Sequence, residues 1–168
     1  LPICSEPASY TFTLDSSRQA SGGIVSYSCV STTSPINGWA SNSSSGAQTG
    51  YTHNSVTTTV ANAKVVSFVG ARQSTPISPP TNYTERWETA STGSTPDTRA
   101  ESEISDYTQA SAGSTGSPTG TLTTAAHNVS QLIALTPGTG GGSTVTSTIR
   151  YVYSGNDDSA DVTIDTTG

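Results

Sequence analysis

Side chains that could do chemistry are few in this chain and far apart. His53 and His127 are its only histidines, and neither sits in an H-E-x-x-H pattern. Glu85 and Glu88 have opposite parity on one expected strand. They should face opposite sides and cannot flank one glycosidic bond. Glu101 and Glu103 share parity, but on a strand expected to be exposed their role is solvation. No G-x-S-x-G elbow singles out a nucleophile among the serines. The run Gly138-Thr139-Gly140-Gly141-Gly142 leads through Ser143 into a strand, not a helix, so it does not cradle phosphate. Asn156, Asp157, Asp158 and Asp161 offer oxygens that a calcium ion would accept. Their spacing is not that of an EF-hand loop, and an acidic turn explains them. The sequence points to no enzyme and no cofactor. No metal is expected, with Asp157, Asp158 and Asp161 the one calcium candidate.

Binding and covalent features come next. Cys4 and Cys29 are the only cysteines. A disulfide between them would close a loop of about 25 residues and stabilise the fold by roughly 3 kcal/mol in the loop-entropy picture. Trp39 reads as a loop residue and is the candidate sugar contact, whereas Trp87 reads as core. Asn42, Asn82 and Asn128 each open an N-x-Ser/Thr pattern and are candidate glycan attachment points.

Composition sets the frame for these side chains. Ser and Thr make up 59 of the 168 residues, Gly and Pro another 25, and lysine occurs once, at Lys64. Helical bundles and coiled coils need Ala, Leu, Glu and Lys that are missing here. No apolar run is long enough for a spanning helix. A net charge of -6 with only six scattered basic residues argues against nucleic acid and against anionic membranes. The Ser/Thr-rich, lysine-poor chain reads as extracellular, on a cell or virion surface, which also suits a disulfide. The start at Leu1 reads as a processed or truncated product.

Short alternating runs imply strands throughout. Tyr10, Phe12 and Leu14 alternate with polar residues, and Ile24 to Val30 forms the next strand; as a hairpin these two would bring the cysteines together. Residues 31–55 read as a long loop. Val56–Val60, Ala63–Gly70, Tyr83–Glu88, 100–109, 119–124 and His127–Thr136 continue the strand pattern. The expected core is Tyr10, Phe12, Leu14, Ile24, Val65, Phe68, Trp87, Leu122, Val129, Ile133 and Leu135. No segment reads as a substantial helix. The fold class is all-β: an antiparallel, jelly-roll-like sandwich over residues 1–137, a glycine hinge at 138–142 and a β-rich tail at 143–168.

The blocks Glu6–Leu14, Ala20–Tyr27, Thr33–Ile36, Thr57–Thr59, Val65–Gly70, Tyr83–Trp87, Gly113–Gly116 and Ala134–Pro137 occur in an order that resembles a family of secreted bacterial and phage-associated β-sandwich domains. The family is jelly-roll or lectin-like and composed mostly of uncharacterised surface and fibre-like proteins. The resemblance implies a surface domain and carries no shared catalytic motif. This chain departs from it at both ends. Strands that usually precede Glu6 are missing, and a tail follows Pro137. Where the family commonly has glycine, this chain has Cys29.

Those departures set the functional expectation. A sandwich without its first strands has an open slot and bare edges. A tail with Val145, Ile149, Tyr151 and Tyr153 at strand parity is a candidate donor strand for a neighbour. The expectation is a homopolymeric filament, pilus or fibre subunit. The alternative is a carbohydrate-binding or adhesion module with a glycan ligand, and the bland reading of the tail is that it completes its own domain.

Overall fold

The computed structural model describes residues 9–15, 18–92, 98–138, 145–155 and 159–163. Over these residues the protein is built of strands without an α-helix, an all-β sandwich of packed antiparallel sheets. In chain order the strands are β1 (Ser9–Thr13), β2 (Ala20–Ser28), β3 (Ile36–Ser43), β4 (Gln48–Thr52), β5 (Thr57–Thr58), β6 (Ala63–Ala71) and β7 (Ile77–Ser78). Then come β8 (Thr84–Ala90), β9 (Glu101–Gln109), β10 (Gly113–Ser114), β11 (Thr119–Ala126), β12 (Asn128–Leu135), β13 (Thr146–Gly155) and β14 (Ser159–Thr163).

The centre is a five-stranded sheet in the order β3-β12-β6-β9-β8. Its middle strand β6 has apolar residues on both faces because both faces are covered, as the run Val65, Val66, Phe68, Val69 requires. One face bears Val65, Val69, Leu132 and Ala134. It packs under the three-stranded sheet β4-β11-β7, which contributes Tyr51, Ile77 and Leu122. Gly120 lies directly under the Tyr51 ring, where a Cβ would collide with the hydroxyl, so only glycine fits. The small pair β5–β10 closes the end near Val56.

The second face bears Val66, Ile104 and Trp87, packed by Val25 and Tyr27 of β2. Here the two ends of the chain meet. β2 pairs with β13 and β1 pairs with β14, both antiparallel. Gly138 N–H donates to Cys29 C=O at 2.7 Å and Ser31 N–H to Thr136 C=O at 2.9 Å, tying the end of β2 to the end of β12.

Several expectations change. The segment 31–55 is two strands, not a loop: β12 templates β3, and β11 templates β4. β1 and β2 do not form a hairpin, because each finds its partner in the tail. The 100–109 strand is buried between β6 and β8 rather than exposed. Within the expected core, Val65, Trp87 and Leu122 are buried. Leu14, Ile24, Ile133 and Leu135 are half-buried, while Phe12, Phe68 and Val129 are exposed. The Tyr10 side chain lies outside the described residues. On β12 the buried set is Leu132 and Ala134, of opposite parity to Val129, Ile133 and Leu135.

Candidate functional site

Besides the packing of Val25 and Tyr27 and a 3.0 Å bond from the Ser102 hydroxyl to Ser21, a charged node fastens the ribbon of chain ends to the body. Tyr27, on β2, donates from its hydroxyl to Asp106 Oδ2 at 3.0 Å. Asp106 sits on β9 with only 1% of its surface exposed. Arg86 reaches it with two hydrogen bonds of 2.7 Å, from Nε to Oδ2 and from Nη2 to Oδ1, and Lys64 Nζ lies 3.5 Å from Oδ1. A β-bulge between Glu85 and Trp87 makes this possible, since it leaves Arg86 as the extra residue of β8. Burial alone would raise the Asp106 carboxyl. The Arg86 bonds, the Lys64 and Arg86 charges and the Tyr27 hydroxyl outweigh it and hold the group below its usual range. Burial first, and then the Asp106 charge, push the Tyr27 hydroxyl far up, so it stays a donor.

The same bulge corrects the parity of the glutamates. Glu85 pairs across to Ser105 and Glu88 to Glu103, so Glu85 and Glu88 lie on one face, not opposite faces. Glu101 and Glu103 are buried rather than solvated, 7% and 1% exposed. Neither Glu103 oxygen completes a hydrogen bond. Burial pushes its carboxyl up to about 8; Ser105 offsets this only in part, and the charges of Glu85 and Glu88 add to the rise. Glu88 and Glu101 are raised as well, by burial first. Their carboxylates accept from the backbone N–H groups of Ile77 and Thr75. His53 is buried, shares a 2.9 Å hydrogen bond with Ser67 and is pushed down to about 4 by burial, so it is neutral. Glu103 and His53 both lie inside the sandwich, each 1% exposed. Among the described residues no group of three or more His, Cys, Asp or Glu is placed to hold a metal.

Away from β2 and β13 no described strand covers the second sheet face. Trp39, Phe68 and Val129 are 65%, 38% and 58% exposed on it. A depression of about 630 Å3 runs beside Phe68 and Val129. It adjoins a cleft of about 950 Å3 at the start of β2, and Ser43, Gly70 and Val129 line both.

The other sequence candidates fall as follows. Trp39 is exposed as expected but lies on the edge strand β3 rather than in a loop. Of the three sequons only Asn82 is exposed, in a turn with φ of 71°. Asn42 is half-buried and donates to Thr52 C=O, and Asn128 is 6% exposed with its amide turned inward. Cys29 is a free, exposed thiol, so the expected bridge is not seen. Its φ of 59° is in the region that favours glycine. Cys4 lies outside the described residues, as do Asn156, Asp157 and Asp158, while Asp161 pairs with Thr11. His127 is exposed. In the tail, Val145 is buried, and Ile149, Tyr151 and Tyr153 stand in register with Val25, Ile24 and Gly22 of β2. Sequence reasoning missed the Asp106 node. Its only trace was a lone lysine inside an apolar strand.

Compared with family models, with curated proteins and with solved structures, the chain matches none. The resemblance drawn from the blocks between Glu6 and Pro137 is carried by those residues alone.

Proposed function

We propose that the protein is a structural, non-enzymatic subunit of an extracellular filament, pilus or fibre, assembled by β-strand complementation between subunits. Within one chain the tail takes the bland course and completes its own domain; the exchange reading is supported by how separable that pairing is. β13 pairs with no strand but β2, and β14 with none but β1, so the described tail pairs only with the N-terminal strands of its own chain. A glycine-rich sequence at 138–142 joins it to the body. A neighbour's tail has the same sequence and can make the same pairings, so exchange conserves every hydrogen bond of the ribbon. Head-to-tail exchange whose rotation does not close yields a fibre. The Ser/Thr-rich, lysine-poor composition supports an extracellular site, and the exposed face at Trp39, Phe68 and Val129 supports association.

Electron microscopy of the purified full chain, with and without residues 143–168, tests the reading. Filaments are expected from the full chain and none from the truncated one. A peptide spanning 143–168 should raise the melting temperature of the truncated protein. A full-length protein that stays monomeric at all concentrations, or filaments that survive the truncation, sinks it. The second reading, a glycan-binding surface module, is favoured by the exposed Trp39 on an open sheet face.

A further inference from the structure

Half of the basic residues of this acidic chain converge on one place. Arg18, Arg72 and Arg99, with His127, line the cleft of about 950 Å3 at the start of β2, although the chain has only six Lys and Arg and a net charge of -6. They arrive from separate parts of the sequence. Arg18 precedes β2, Arg72 follows β6, Arg99 precedes β9, and His127 joins β11 to β12. A hydrogen bond of 2.9 Å from Arg72 N–H to His127 C=O sets two of them side by side. The Asp106 ion pairs, with Lys64 and with Arg86, do not draw on Arg18, Arg72 or His127.

Among the described residues, Arg18 and Arg72 thus bring two arginines to one cleft of a negative protein. Arg18 and Arg72 are exposed at its rim. Glu101 also lines it, but Glu101 Oε2 accepts from Thr75 N–H at 3.1 Å. Arg99 lies close enough to draw the Glu101 carboxyl down, so the charge of Arg99 is partly engaged. Gly70 and Val129 contribute to the lining together with the hydroxyl residues Ser21, Ser43 and Ser44. Arginine presents a planar fork that suits carboxylate and sulfate. Serine hydroxyls suit the hydroxyl groups of a sugar. The volume lies at the upper end of the roughly 300–1,000 Å3 of small-ligand sites. A long polyanion such as nucleic acid meets the net negative charge of the rest of the chain, which leaves short anions.

We propose that this cleft binds a short acidic saccharide, with its carboxylate or sulfate held by Arg18 and Arg72 and its hydroxyls facing the serines. The proposal deepens the glycan-binding reading and is independent of strand exchange. It is tested on the full chain by calorimetric titration with trigalacturonic acid and a heparin-derived tetrasaccharide. Maltotriose and inorganic sulfate serve as controls. The acidic saccharides should bind, more weakly as salt is added, and maltotriose should not. Arg18→Ala and Arg72→Ala should each lower affinity about tenfold, the effect of losing one charged anchor. Both residues are exposed, so the melting temperature should not move. Trp39→Ala should leave this binding intact.

Several results overturn the proposal: no binding of either acid, equal binding of maltotriose, or acid binding unchanged in the Arg18→Ala/Arg72→Ala double variant. Sulfate alone binding as tightly as the saccharides overturns the saccharide assignment. Glycan binding lost in Trp39→Ala but kept in the double variant overturns the cleft and leaves the broader glycan reading standing.

Discussion

The two layers flanking the five-stranded sheet are held by different forces. The β4-β11-β7 layer is joined by apolar contact: Tyr51, Ile77 and Leu122 meet Val69 and Ala71, all at 5% exposure or less. Among the described side chains, the layer of chain ends offers half-buried Val25 and Tyr27, a hydroxyl bond from Ser102 to Ser21, the buried Val145 of the tail and the charged node at Asp106. Area burial is non-directional and costly to reverse, at about 25 cal/mol per Å2 of apolar surface. A hydrogen-bonded node is directional and releases at a few atoms. The first layer belongs to the cooperative core. On the proposed strand-exchange reading the second is the layer that comes away, the property a strand-exchanging element needs.

Disrupting the apolar side should have the largest effect. Leu132 is fully buried between β3 and β6, and Leu132→Ala should cost about 4 kcal/mol. Chemical denaturation with two probes should show one transition, shifted as a whole. Asp106→Asn comes next, at about 3 kcal/mol, because it leaves Lys64 and Arg86 without their partner. That is the low end for a buried pair, since the Arg86 side chain is 26% exposed and can rehydrate. Hydrogen exchange should separate the two variants. In Asp106→Asn, β2 and β13 should lose protection before β6 and β12; equal loss in both layers would erase the distinction between them. The pH dependence follows. Folded Asp106 has a pKa below that of the unfolded chain, ordinarily about 3.9. Its contribution is complete above that value and is lost as pH falls through the lower folded value. Asp106→Asn should show none of this acid loss.

The sequence made the sheet class legible, and much of the core layout only in part. Alternation in β6 and β12 located the central strands, because a half-buried strand must alternate and a fully buried one must be apolar on both faces. It did not reveal which β12 face is sealed, since Leu132 with Ala134 and Ile133 with Leu135 read alike until β4-β11-β7 is seen to cover one of them. β3 and β4 were illegible for another reason. Asn37, Gly38 and the serine run have no strand preference, and pairing with β12 and β11 imposes it. A single bulge, invisible in sequence, shifted the register of β8 and undid the parity argument for Glu85 and Glu88. Of the candidate site, the tail and the exposure of Trp39 were readable. The Asp106 node and the arginine cleft were not, because their members are distant in sequence and meet only through topology.

A pH-dependent effect probes how polar the inside of the sandwich is. Glu103 keeps its proton in the folded protein up to about pH 8, while in the unfolded chain it loses it near the ordinary value of about 4.3. Between these values the folded state binds more protons, so stability falls as pH rises through the window. Glu103→Gln should remove that slope, neutral at low pH and stabilising by on the order of 3–5 kcal/mol at pH 8. A variant that is destabilised at pH 8 would show that the ionised carboxyl has a partner in solution. The apolar layer would then be less dry than its buried side chains indicate.

The smallest expected effect lies on the exposed half of the second face, beside the layer of chain ends. Trp39 and Phe68 are large, yet 65% and 38% exposed. In the isolated chain Trp39 sheds little water on folding, and Trp39→Ala should change stability by less than about 0.5 kcal/mol. Phe68→Ala should cost more than Trp39→Ala but well under Leu132→Ala, because its inner edge still rests on the sheet. The same substitutions become informative at high protein concentration. If neighbouring subunits cover this face, Trp39→Ala should weaken association while leaving the monomer's melting temperature unchanged, since the cost appears only where the indole is buried. A Trp39→Ala variant that melts several degrees lower as a dilute monomer would place the indole inside the folded unit. The second face would then be covered within one chain, and the contrast between its two halves would disappear.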